Sequence, residues 1–129
     1  MRYFAPTTVD EAVGLLAESP GRKVFAGATD VIPQMRAGRP EPDGLIDLKH
    51  IDRLMGVRRT ATGWVIGAAT PTSQLTGNAE LVAEFPGLCE GAGLIGSDQI
   101  QNRSSLGGNL CNASPAADSV PAMVVNGMR

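Results

Sequence analysis

A chain of 129 residues with 43% hydrophobic and 19% charged side chains has the composition of a globular domain able to bury its own core. A net charge of −2 and only 4% aromatic residues argue against a basic nucleic-acid face and against stacking platforms for single strands. One histidine, His50, and two well-separated cysteines, Cys89 and Cys111, argue against a structural zinc site and cannot supply a four-cysteine iron–sulfur cluster.

The opening "MRYFAPTTVDEA" lacks the apolar core and cleavage site of a signal peptide, and no apolar run is long enough to span a bilayer. A cytoplasmic chain with two thiols is therefore expected, rather than one with a disulfide. "TTVDEAVGLLAESPG" predicts an amphipathic helix. Thr8 and Glu11 have capping-box spacing, Val9, Ala12, Val13, Leu15 and Leu16 form its apolar stripe, and Pro20-Gly21 ends it. "RKVFAG" reads as a short strand, and "ATDVIPQMRAG" as a loop entering a second helix. In that helix Asp30 is placed to cap, Pro33 sits in the first turn and Gly38 near the end.

"DGLIDLKHI" predicts a strand around Leu45 to Leu48, and "LMGVRRTATGWVIGAAT" a hairpin turning near Thr62-Gly63. Beyond it, short helical segments alternate with breakers at Gly77-Asn78 and Pro86-Gly87. A last helix begins at "DSVPA", capped by Asp118 or Ser119. The whole reads as mixed α and β.

Two stretches of small residues carry the chemistry. In "FAGATDVI", residues 25–32, a strand empties into Gly27 and a helix starts soon after, which aims successive backbone N–H groups at one place. An anion site without a lysine and an ordinary strand-to-helix turn both fit, and such turns are common. It is neither a G-x-G-x-x-G fingerprint nor a P-loop. The second stretch, "NRSSLGGNLCNASPAADS" at 102–119, has no helical or strand period over most of its length and reads as a loop. Gly107 and Gly108 permit close approach, while Ser105, Asn109, Asn112, Ser114 and Asp118 offer donors and acceptors suited to a pyrophosphate with several hydroxyls.

His50 and the Arg53, Arg58 and Arg59 cluster read as solvated surface, Trp64 as packing, and Cys111 as a small buried residue. No catalytic triad, carboxylate pair or singled-out nucleophile is present.

The two stretches together resemble those of the FAD-binding medium subunit of molybdenum hydroxylases, the xanthine dehydrogenase and carbon monoxide dehydrogenase family. "AGATDV" resembles that family's A-G-G-T-D-L loop, and "SLGGNLCNASPAADS" its T-I-G-G-N-x-x-N-A-S-P-A-A-D-S segment. "IGSDQIQNR" and "YFAPTTVDEAVGLLAE" resemble its I-G-S-x-Q-I-R-N-R run and its opening helix. The resemblance implies an α+β fold of two subdomains, a small α/β one over about residues 1–52 and the start of a more antiparallel one over about 53–129. FAD would lie between them, held by Ala26, Gly27, Ala28, Thr29, Asp30 and Val31 from the first loop. The second would supply Ser105, Gly107, Gly108, Asn109, Asn112, Ser114 and Asp118, the last towards the ribityl or ribose hydroxyls, with Leu110 and Cys111 only packing nearby.

The implied role is electron transfer from iron–sulfur clusters on a small partner subunit to an external acceptor, with hydroxylation at a molybdenum cofactor on a larger one. Two departures stand out. Ala28 occupies a position where the family more often has a second glycine, and the chain stops at "NGMR" where family members continue, as an N-terminal portion would. A non-redox nucleotide-binding module and a cofactor-free interaction protein are the alternatives on the same residues.

Overall fold

A computed structural model describes residues 1–129. Three short strands, β1 (Arg2–Phe4), β2 (Arg22–Phe25) and β3 (Gly44–Asp47), form a parallel sheet in the order β1-β3-β2. Phe4 and Val24 both stand level with Ile46 of the middle strand, which is buried along its whole length. "GLID" is thus a run enclosed by two neighbours, which explains why its apolar residues do not alternate with polar ones.

Helix α1 (Val9–Glu18) links β1 to β2. The Thr8 hydroxyl accepts from the Glu11 N–H at 3.1 Å, and Glu11 returns a bond to the Thr7 N–H at 2.9 Å, one residue earlier than the usual capping box. Only part of the expected stripe turns inward. Ala12 is buried and Leu15 half-buried, whereas Val9, Val13 and Leu16 remain exposed. Ala12, Ile46 and Ile51 form the core of this half, with Phe4, Leu15, Leu48 and Leu54 around them. Ile46 and Ile51 are essentially sealed from solvent, each contributing about 1.5–3 kcal/mol of burial.

Helix α2 (Val31–Arg36) follows the first loop and ends as the sequence predicts. Gly38, at φ +94°, donates to the Met35 carbonyl and Arg39 donates to the Gln34 carbonyl, a Schellman ending. After β3 the chain makes two 3₁₀ turns and enters a hairpin of β4 (Val57–Thr60) and β5 (Gly63–Ile66), closed at Thr60 and Gly63.

The rest is a set of short helices: α3 (Ser73–Thr76), α4 (Ala79–Glu84), α5 (Pro86–Gly93), α6 (Asp98–Gln101), α7 (Leu106–Cys111) and α8 (Val120–Val125). Asn78 caps α4 by accepting from the Leu81 N–H, and Pro86 opens α5. Leu75, Leu81, Leu88, Cys89, Ala92 and Leu106 make a second core, covered on one side by Val57, Trp64 and Ile66 of the hairpin. Antiparallel pairing in this half is confined to that hairpin.

Candidate functional site

β2 delivers the chain to the first small-residue loop beside a cleft of about 520 Å³. Ala26, Gly27, Ala28, Thr29, Asp30 and Val31 line one side of it. Ser105, Gly107, Gly108, Asn109 and Asn112 line the other. Ser114 and Asp118 lie outside the lining. The Ser114 hydroxyl accepts from the Ala116 N–H in a local turn, and Asp118 is exposed on the approach to α8. Leu16, Val24, Phe25, Leu48, Leu54 and Ile95 add apolar wall, so the cleft combines a polar rim with a body able to take an aromatic ring.

In the first loop the backbone N–H groups of Gly27, Ala28, Thr29 and Asp30 make no hydrogen bond within the chain. Ala28 has φ +62°, the left-handed value that turns consecutive amides to one side, and its carbonyl accepts the Ile32 N–H as α2 begins. Asp30 does not cap α2 as expected. Its own backbone is already helical and its side chain makes no capping bond, because a cap needs an extended residue to swing its carboxylate over the first turn. The Ala26 and Val31 N–H groups on either side are unpaired as well, so the loop keeps a run of free donors for something outside the chain.

The left-handed Ala28 gives a first test. An L-residue costs about 1–2 kcal/mol in that region, while a glycine adds back about 0.5–1 kcal/mol of unfolded-state freedom. Ala28→Gly should thus raise stability by up to about 1 kcal/mol, read as a higher urea midpoint at unchanged slope.

The second stretch is not the loop its composition suggests. Residues 106–111 form α7, with Ser105 as its N-cap accepting from the Gly108 N–H at 3.1 Å. The Gly107 N–H donates to the Ala68 carbonyl at 3.1 Å, so both glycine amides are occupied within the chain. A Cβ on Gly107 would sit 2.6 Å from that same Ala68 oxygen, and one on Gly27 would sit 2.0 Å from the Arg103 carbonyl oxygen. These two glycines serve backbone-on-backbone packing, the second of them where the two stretches meet.

Asn109 lines the cleft and accepts from the Ser119 hydroxyl at 2.6 Å through its Oδ1, which leaves its amide NH₂ without a partner in the chain. Ser119 spends its hydroxyl this way and does not cap α8, and Asp118 does not cap it either. Asn112 accepts from the Gln34 Nε2 at 2.9 Å, a link between α2 and the end of α7. Cys111 is exposed and lines the cleft instead of being buried, and Leu110 is half-exposed.

Asp47 and Lys49 carry no functional reading in the sequence, yet they brace the first loop. Asp47 is buried, receives the Lys49 ammonium at 3.1 Å, the Lys49 N–H at 3.0 Å and the Tyr3 hydroxyl at 2.9 Å. Lys49 also donates to the Ala26 carbonyl. The one available signal was a carboxylate inside the apolar run "LID", since buried acids are rarely left unpaired.

Burial by itself would raise the Asp47 carboxyl, but the bonds from Lys49 and Tyr3 outweigh it and hold the group below its ordinary value of 3.8. A folded-state pKa below the unfolded one stabilises the fold above about pH 4. That contribution falls away as pH drops through the lower folded value. Acid unfolding followed by circular dichroism should show stability falling below pH 4, and Asp47→Asn should flatten that part of the profile.

His50 is exposed beside the Tyr3 hydroxyl at 3.2 Å. Trp64 packs on the second core and donates to Glu84 at 3.0 Å, with Arg59 over its ring and paired to Glu80 and Glu84. No helix is long and apolar enough to cross a membrane.

Residues 1–128 match the family described as FAD binding domain in molybdopterin dehydrogenase. Over 124 residues, 95% of the chain, it is 36% identical to the carbon monoxide dehydrogenase medium chain of Hydrogenophaga pseudoflava. Over the same length it is 32% identical to the xanthine dehydrogenase FAD-binding subunit of Escherichia coli O157:H7. The chain spans 43% and 42% of those two relatives. A solved structure of the Hydrogenophaga pseudoflava carbon monoxide dehydrogenase superposes on 92% of the chain with a TM-score of 0.87 and 35% identity, matching 42% of its own chain.

Proposed function

Because this chain belongs to the family of FAD-binding domains in molybdopterin dehydrogenases, we propose that it binds FAD in the cleft between its two small-residue stretches. The observation that carries this reading is the row of unpaired amides from Gly27 to Asp30, which suits a diphosphate and asks for no lysine. The apolar wall beside the amides has room for a ring system, and the Asn109 amide and Thr29 hydroxyl can meet ligand oxygens. Bound there, FAD would supply electron-transfer chemistry between iron–sulfur clusters of a small partner subunit and an external acceptor. A larger partner with the molybdenum cofactor performs the hydroxylation.

The chain's own part is to bind, orient and shield. Ala28 keeps the amides turned outward, Lys49 tethers the strand end behind them, and Leu48, Leu54 and Ile95 exclude water from the wall. Ser114 and Asp118 would act only if the segment between α7 and α8 folded toward the ligand. Two units are proposed, meeting near residue 52, where the parallel sheet and its core give way to the hairpin and the helices.

The test is a titration with FAD, FMN, riboflavin and ADP followed by flavin fluorescence and calorimetry. FAD should bind tightest and riboflavin, which lacks phosphate, at least about tenfold more weakly, equivalent to about 1.4 kcal/mol. ADP binding as tightly as FAD would favour a non-redox nucleotide module. Equal binding of FAD and riboflavin, or no binding of any of them, would overturn the assignment.

A further inference from the structure

The Asp47–Lys49 pair is the most enclosed ionic cluster in the molecule, and nothing in the binding role just described requires it to be charged. Their side chains are 7% and 14% exposed, and a buried pair of this kind seldom adds stability over an apolar one. What it does have is direction. The Lys49 ammonium bonds the carbonyl of Ala26 and lies 5.1 Å from the centre of the Phe25 ring, on the strand that ends in the first loop.

The Ala26 carbonyl and the Gly27 N–H belong to one planar trans peptide, so they point in opposite directions. Drawing the carbonyl towards Lys49 turns the Gly27 N–H away from Lys49. A cation on the carbonyl oxygen also polarises the amide, making its N–H a stronger donor. Gly27 is one of the loop amides without a partner in the chain.

We infer that Lys49, held by Asp47, is a positioning residue that sets the direction and donor strength of the Gly27 amide for an anionic diphosphate, without touching the ligand itself. The inference rests on the proposed FAD site. It goes beyond that site in assigning a charge behind the loop to the strength of an amide in front of it. Tyr3 completes the brace from the far side of Asp47 through its hydroxyl, and His50 stands next to it at the surface.

Lys49→Met leaves the buried Asp47 carboxylate without the Lys49 ammonium and can unfold the protein, so it is paired with the double variant Asp47→Asn with Lys49→Met and with Lys49→Arg. Two quantities are read: the ligand-free amide resonance of Gly27, and affinities for ADP, FAD and riboflavin. The double variant should shift the Gly27 amide proton upfield and lose about tenfold in ADP and FAD affinity. Riboflavin affinity should stay within about twofold, a difference that general loosening of the fold would not produce. Lys49→Arg should restore most of the loss.

A folded double variant with an unmoved Gly27 resonance and wild-type ADP affinity would overturn the role of Lys49 and leave the FAD site standing. If the wild-type chain bound neither ADP nor FAD, the site itself would fall. The Gly27 resonance alone would then decide whether Lys49 sets the amide: a shift supports it and no shift refutes it.

Discussion

Gly27→Ala is expected to destabilise the domain by about 3 kcal/mol, since overpacking against atoms that cannot yield sits at the upper end of its usual cost. The new Cβ would lie 2.0 Å from the Arg103 carbonyl oxygen, 2.4 Å from its carbon and 2.9 Å from the Ser104 nitrogen. All three are backbone atoms, so no side chain can rotate away. The segment they belong to carries Ser104, whose hydroxyl pairs with Thr72 at 2.9 Å, and it leads directly into α7. Relief therefore requires the two sides of the cleft to part. For a domain of this size a loss of about 3 kcal/mol is a large share of total stability and lowers the melting temperature by roughly 10 °C. Differential scanning calorimetry measures it, and a change below about 1 kcal/mol would show that the two stretches do not abut as described.

Gly107→Ala should cost about 2–3 kcal/mol for a related reason. Its Cβ would meet the Ala68 carbonyl oxygen at 2.6 Å, the same oxygen that receives the Gly107 N–H. The substitution pushes against its own hydrogen bond and tilts α7, which carries Asn109 and is followed directly by Asn112. Gly108→Ala makes the comparison, because there the nearest atom is only the Ser105 hydroxyl at 3.0 Å. Urea unfolding of the pair should place Gly107→Ala well below Gly108→Ala. Equal midpoints would contradict the packing account.

These two glycines show where sequence reasoning stopped short. Composition suggested that small residues clear space for a ligand, whereas at Gly27 and Gly107 they clear space for other backbone, a contact that depends on residues 76 and 39 positions away. The same holds for α7. Gly-Gly-Asn has poor helix propensity, and the helix exists because Ser105 caps it and Leu106 anchors it in the core.

Elements set by local signals were legible. The Thr8 cap of α1, the glycine ending of α2 and the hairpin turn before Gly63 follow from neighbours within a few residues. The cleft became legible through the resemblance of two motifs, the second of them long, not through periodicity. Asp47 and Lys49 stayed hidden because their meaning lies in what faces them, the Ala26 carbonyl and the Tyr3 hydroxyl. Asp30 misled for the converse reason: it has the right side chain for a cap on a backbone already turned into the helix.

The most direct measurement is a nitrogen–proton correlation spectrum of the labelled chain during titration with FAD. The amides of Gly27, Ala28, Thr29 and Asp30 should shift downfield most and together, and ADP should move the same four. FAD binding that left these four resonances in place while others moved would contradict the proposed site.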